Sequence, residues 1–261
     1  MNRFVRQLDP KVSSVTLDFT NEGDLKSIAK FSVLRLVSGQ QITVNSGPYE
    51  IGIMILQGTC DLSVDGKKVG LVGVRTSVFD GLPEGVYIPK DTTVVVDSAG
   101  VEIALCYGVC KEKKQFSLIR QSSVKQMNVG KGNWQRDVRM VIAQDGPSEN
   151  LLLGETFNPA GNWSGTPPHK HEGVGNESLH EELYYFRIAQ SQGFGIEKFY
   201  SVEHNVDLLI PLKNETVTLM PWGYHQIVAG PGYDLYYLFF LSGSGTKLCG
   251  VPDPEHAWLL K

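Results

Sequence analysis

The chain has 261 residues, 41% hydrophobic and 20% charged, with a formal net charge of −4. Acidic and basic residues are mixed along it, so no basic stripe is offered to a phosphate backbone, and no apolar run approaches the roughly 20 residues that a bilayer crossing needs. Nucleic acid and membrane are thereby excluded as expected partners, and the composition is that of an ordinary globular protein.

Residues 1–10 carry Arg3, Arg6 and Asp9 and no apolar stretch of the signal-peptide kind, which predicts a cytoplasmic protein. Short helical periodicity around residues 25–31 predicts a connector. Runs rich in β-branched and aromatic residues then follow at 51–56, 92–96 and 102–107, separated by Asp65-Gly66, Asp80-Gly81 and Ala99-Gly100, where glycine suits tight reversals. The charge run Lys111-Glu112-Lys113-Lys114 reads as a solvated loop, followed by a second short helical connector at 117–126. Strand signals resume at 183–188 and 233–241, with a reversal at Gly230-Pro231-Gly232. The pattern is all-β, at the strand spacing of sandwiches or barrels. Cys60, Cys106, Cys110 and Cys249 contain no CxxC, and Cys106 and Cys110 would lie roughly 13 Å apart along a strand, too far to bridge. Free thiols in a reducing compartment are expected.

The two halves resemble each other in spacing. Glu50 precedes Pro89 by 39 residues, and Glu182 precedes Pro221 by the same interval. This predicts two copies of one antiparallel barrel, residues 1–125 and 126–261. In the implied alignment Thr93 takes the place of His225, and residues 1–168 contain no histidine. Any imidazole chemistry must belong to the second barrel.

There, His169-Lys170-His171 places two imidazoles on one face of an extended segment, with Lys170 turned away. Glu182 opens a strand and shares a face with Tyr184 and Phe186. Pro221-Trp222-Gly223-Tyr224-His225 delivers a third histidine from a turn. The predicted ligands are His169, His171, Glu182 and His225. Three imidazoles and a carboxylate suit a divalent transition metal, Zn²⁺ first, with Fe²⁺, Mn²⁺, Co²⁺ or Ni²⁺ compatible, and suit Ca²⁺ or Mg²⁺ poorly. Glu181 and Glu182 are adjacent and face opposite ways, so a strand shifted by one residue would exchange them. His180 and His204 lack a partner at useful spacing and read as surface residues; His256 lies apart in Asp253-Pro254-Glu255-His256.

Pro159-Ala160-Gly161-Asn162-Trp163-Ser164, Pro167-Pro168-His169-Lys170-His171, Glu181-Glu182-Leu183-Tyr184-Tyr185-Phe186-Arg187, Pro221-Trp222-Gly223-Tyr224-His225 and Pro231-Gly232-Tyr233-Asp234-Leu235-Tyr236-Tyr237-Leu238 together resemble the 5-deoxy-glucuronate isomerases of inositol catabolism, relatives of the 4-deoxy-threo-hexosulose-uronate ketol-isomerases. Weaker likeness runs through Arg75-Thr76-Ser77-Val78-Phe79-Asp80-Gly81. The chain departs from that pattern at residues 242–247, where the family tends to carry a proline and then an arginine, and Lys247 would stand in.

The resemblance implies a bicupin, two tandem double-stranded β-helix (jelly-roll) barrels. It also implies an aldose–ketose isomerase acting on a small sugar acid through an enediolate. The reaction needs a base, for which Glu155 is the first candidate and Glu181 and Tyr184 the others. It needs a cation for the substrate carboxylate, for which Arg187 and Lys198 are candidates, as is Arg136. Trp163, Tyr184, Trp222, Tyr224 and Tyr237 would line the pocket. An Fe(II) cupin dioxygenase and a non-enzymatic metal cupin that binds a sugar acid are the alternatives, and homo-oligomer formation is left open by the sequence.

Overall fold

The computed structural model describes residues 3–261. Strands between Ser14 and Ile119 form one eight-stranded antiparallel sheet, dominated by the long strands Tyr49–Val64 and Thr93–Val109. Both bend where their register slips near Gly58. Gly58 has φ +81°, and a Cβ there would lie 1.9 Å from the Gly100 carbonyl oxygen, so the bulge that curls these strands into a barrel requires glycine. The second half forms a seven-stranded sheet built around His180–Ile188, Leu235–Gly243 and Leu151–Asn158. Facing it is a five-stranded sheet that includes Gly195–Ser201, Tyr224–Ala229 and Trp163–Lys170. The molecule is an all-β bicupin.

Three apolar clusters explain the layering. Ile51, Ile53, Val86, Val94 and Leu105 fill the first barrel. Leu152, Phe186, Phe199, Met220, Ile227 and Tyr237 fill the second. Leu153, Leu183, Tyr185, Tyr236 and Phe240 pack against Phe31, Val33, Met54 and Tyr87 between the barrels. Strands at this junction are buried on both faces and so lose the apolar–polar alternation of a half-exposed strand. That is why residues 25–31 read as helical: Ile28, Ala29 and Phe31 are all buried, and the segment enters the strand Ile28–Leu36. Residues 117–126 likewise hold the strand Ser117–Ile119 and one 3₁₀ turn rather than a longer helix. Among the described residues no helix is long and apolar enough to cross a membrane.

The chain's first strand, Val5–Gln7, pairs with Thr216–Met220 of the second half, so the expected unit 1–125 does not keep its leading segment. The halves are further tied by two carboxylates in equivalent roles. Glu181 accepts hydrogen bonds from the backbone N–H groups of Lys26, Ser27 and Ile28 at 2.6, 2.9 and 2.8 Å. Glu50 accepts from Glu149 and Asn150, both at 2.8 Å. By role, Glu50 therefore corresponds to Glu181, not to Glu182 as the spacing suggested. The next, inward-facing position is Ile51 in the first barrel and Glu182 in the second.

Candidate metal centre

The strand Trp163–Lys170 pairs regularly with Tyr224–Ala229 at Trp163 and Ser164, then slips, and the next pair is His169 opposite His225. The residues between include Pro167 and Pro168, which have no N–H for a ladder. Their bulge brings His169 and His171 to the same end of the barrel as His225, and one nitrogen from each of the three lies within 4.8 Å of the others. Glu182 arrives from the facing sheet, its Oε2 3.1 Å from Nε2 of both His171 and His225.

The far side of each ring sets its tautomer. His171 Nδ1 donates to the His180 carbonyl at 2.8 Å, and Nδ1 of His169 and of His225 face the carbonyls of Gly165 at 3.3 Å and Gly223 at 3.4 Å. A carbonyl can only accept, so the proton belongs on Nδ1 and the Nε2 lone pair points into the barrel. Two such lone pairs then crowd one Glu182 oxygen, and the buried Nε2 of His225 has no hydrogen-bond partner. Only a proton or a cation between them relieves that crowding, and the nitrogen-rich donor set fits a divalent transition metal.

The electrostatics agree. Burial, reinforced by the neighbouring imidazoles, pushes the His169 pKa down to about 3, so this ring stays neutral. Burial opposes ionisation of Glu182, but the close approach of the His171 and His225 rings outweighs it and holds the carboxyl well below the usual range. Burial also opposes protonation of His171, and the Glu182 contact overcomes it, raising that pKa. Tyr184, whose ring centroid is 5.8 Å from that of His225, is held well above its ordinary pKa by burial and by the Glu182 charge. It remains a phenol, a proton donor rather than a base.

Several expected site residues lie elsewhere. Glu155 faces the barrel junction, where Arg75 and Arg139 grip it at 2.9 and 3.0 Å. Glu181 clamps residues 26–28, as above. Arg187, one face away from Tyr184, pairs with Glu102 and with Glu215 at 3.0 Å. Lys198 pairs with Asp207 and lies over the Tyr200 ring. Alternation along each strand accounts for all four: their neighbours Thr156, Glu182, Phe186 and Glu197 hold the inward positions. Trp222 stacks on His204 at 3.7 Å and packs against Phe199, making no ring contact with the triad. Tyr237 does face inward, 2.5 Å from Ser164 Oγ and 4.9 Å between ring centroids from Tyr184. His180 is fully buried rather than at the surface, its Nε2 bonded to the Gly245 carbonyl at 2.9 Å.

Glu197 was not singled out by the sequence, which drew attention only to its neighbour Lys198. It is fully buried inside the second barrel, and neither carboxylate oxygen has a well-formed hydrogen bond. Burial, with the Glu182 charge adding to it, pushes its pKa up to about 8.

Comparisons with known proteins place this geometry in a family. The KduI/IolB family model matches residues 4–259. The chain is 33% identical to the 5-deoxy-glucuronate isomerase of Geobacillus kaustophilus, over 88% of this chain and 85% of that protein. It is 32% identical to that of Bacillus subtilis subsp. natto, over 93% and 91%. The crystal structure of an IolB-like protein from Salmonella typhimurium LT2 superposes with a TM-score of 0.93 at 27% identity, covering 99% of each chain. Oxalate decarboxylase of Bacillus subtilis shares the fold at a TM-score of 0.67 and 10% identity, covering 97% of this chain and 80% of that one. The chain therefore belongs to the KduI/IolB family, a family of isomerase enzymes.

Proposed function

We propose that this protein is a metal-dependent aldose–ketose isomerase that converts 5-deoxy-glucuronate into 5-dehydro-2-deoxy-gluconate, with His169, His171, Glu182 and His225 as the metal ligands. The observation that carries the reading is the convergence of inward-facing Nε2 lone pairs and the Glu182 carboxylate inside one barrel, in a chain about one-third identical to isomerases of this name over most of its length. A bound divalent metal, zinc first among zinc, iron, manganese, cobalt and nickel, supplies Lewis acidity toward the carbonyl and adjacent hydroxyl of the open-chain sugar.

The protein's own groups do the rest. Tyr184, held as a phenol, donates to the oxygen that gains charge as the enediolate forms, and relays the hydroxyl proton from the oxygen on C2 to that on C1. The carbon-bound proton leaves C2 and is returned to C1, and Glu197, a second carboxyl in the same interior, carries it in its ionised form, which a cation beside Glu182 would favour by cancelling the Glu182 charge. Tyr237, Phe186 and Phe199 wall the site against water. Residues 1–125 and 126–261 act as a metal-free and a metal-binding barrel, the leading strand being exchanged onto the second, and the protein works in the cytoplasm on a small sugar acid.

The test is to incubate the metal-loaded protein with 5-deoxy-glucuronate in D₂O and follow it by NMR. The ketose should appear and should vanish on chelation. Full metal occupancy with no ketose refutes the isomerase, and oxygen uptake during turnover indicates a dioxygenase instead.

A further inference from the structure

Seven of the eight arginines in the chain have a carboxylate oxygen within 3.0 Å. Arg136 is the exception among the described residues. Its Nη1 makes a long 3.4 Å bond to the Trp134 carbonyl, and its buried Nε has no partner. The guanidinium lines a cavity of about 290 Å³ together with Lys131, Trp134, Thr166, Leu259 and Leu260, and no acidic residue contributes to the wall.

That cavity adjoins the metal barrel. Thr166 belongs to the strand that carries His169, and its buried hydroxyl also lacks a partner. The Arg136 charge acts on the Tyr237 hydroxyl, Tyr237 touches Tyr184, and the Tyr184 ring is 5.8 Å from His225. Tyr237 and Tyr184 thus stand between a guanidinium without a carboxylate partner and the triad. An arginine without a carboxylate of its own, in a cationic cavity free of acids, presents the fork that matches a carboxylate bidentately.

We propose that Arg136, assisted by Lys131, is the carboxylate-recognition site of the enzyme, holding the acid end of the sugar at the barrel mouth while the carbonyl end reaches the metal centre. This rests on the isomerase reading for the identity of the acid, but not for the existence of the site.

The test compares 5-deoxy-glucuronate with its neutral analogue, in which the carboxylate is reduced to a hydroxymethyl group, on the metal-loaded full chain. Wild type should favour the acid by roughly 10- to 100-fold, the range of a charge-assisted hydrogen-bonded pair. Arg136→Gln should raise KM for the acid by that factor and leave the neutral sugar unaffected, with metal content unchanged. Arg136→Lys and Lys131→Gln should give intermediate losses. A variant that still favours the acid as wild type does, or that loses equally on both sugars, overturns the proposal. Calorimetric titration of both sugars separates the two hypotheses. Should wild type bind the acid selectively without turning it over, the isomerase reading fails and Arg136 is still tested by the variant's loss of that selectivity.

Discussion

Replacing Glu197 by Gln should make the protein more stable at pH 8 and change it little at pH 4.5. In the unfolded chain this carboxyl ionises near 4.5, whereas in the folded barrel it keeps its proton up to about 8, chiefly because burial penalises the charge. The Glu182 carboxylate adds to that penalty, and the Thr218 hydroxyl lowers the pKa a little without forming a well-aligned bond. Between those two pH values the folded state binds more protons than the unfolded state, so stability falls as pH rises. The favourable state is fully present below about 4.5 and is lost by about 8. The interval corresponds to roughly 5 kcal/mol, to order of magnitude. Glutamine keeps the shape and does not titrate, so the variant's stability should be flatter by that amount over the same window. The assay is urea unfolding of both proteins at pH 5, 6.5 and 8, with a chelator present so that no cation beside Glu182 offsets the burial. Equal slopes of stability against pH for the two proteins would refute the reasoning. In the metal-loaded enzyme the same change should lower kcat by roughly 100- to 10,000-fold, the range for losing a general acid–base.

Glu155→Gln should cost about 3–5 kcal/mol in urea unfolding, because it leaves the buried Arg75 and the half-buried Arg139 without their shared carboxylate. Glu181→Ala should cost a comparable amount by releasing three backbone N–H groups of residues 26–28. In both variants the folded fraction should keep its metal, measured by elemental analysis, and its kcat; a selective collapse of kcat in stable protein would restore either residue as the base. Glu182→Gln or His225→Ala should reduce metal affinity more than tenfold and remove the unfolding-midpoint increase that added metal gives wild type; an unchanged metal stoichiometry would exclude that residue as a ligand. Tyr184→Phe should keep its metal and lose kcat by about 10- to 1,000-fold, because a proton donor beside the developing charge is gone; a kcat within twofold of wild type would remove it from the mechanism.

The sequence by itself determined the all-β class, the restriction of imidazole chemistry to the second half and the pairing of His169, His171 and His225. The first follows from strand and turn patterning, the second from a first half without histidine, and the His169–His171 pair from alternation, which puts i and i+2 on one face whatever the strand's partners are, with His225 delivered by its own turn. It could not decide which face is which. Glu181 and Glu182 stand on opposite sides of a strand buried on both, so no change in polarity marks the inside. The choice is made by the amides of residues 26–28, roughly 155 residues away in the chain, which take Glu181 and leave Glu182 to the histidines. The same long-range geometry withdraws Glu155 and Arg187 into the barrel junction, encloses Glu197, and leaves Arg136 without a carboxylate. Which charge finds a partner is a property of the folded neighbourhood, and only the tertiary structure supplies it.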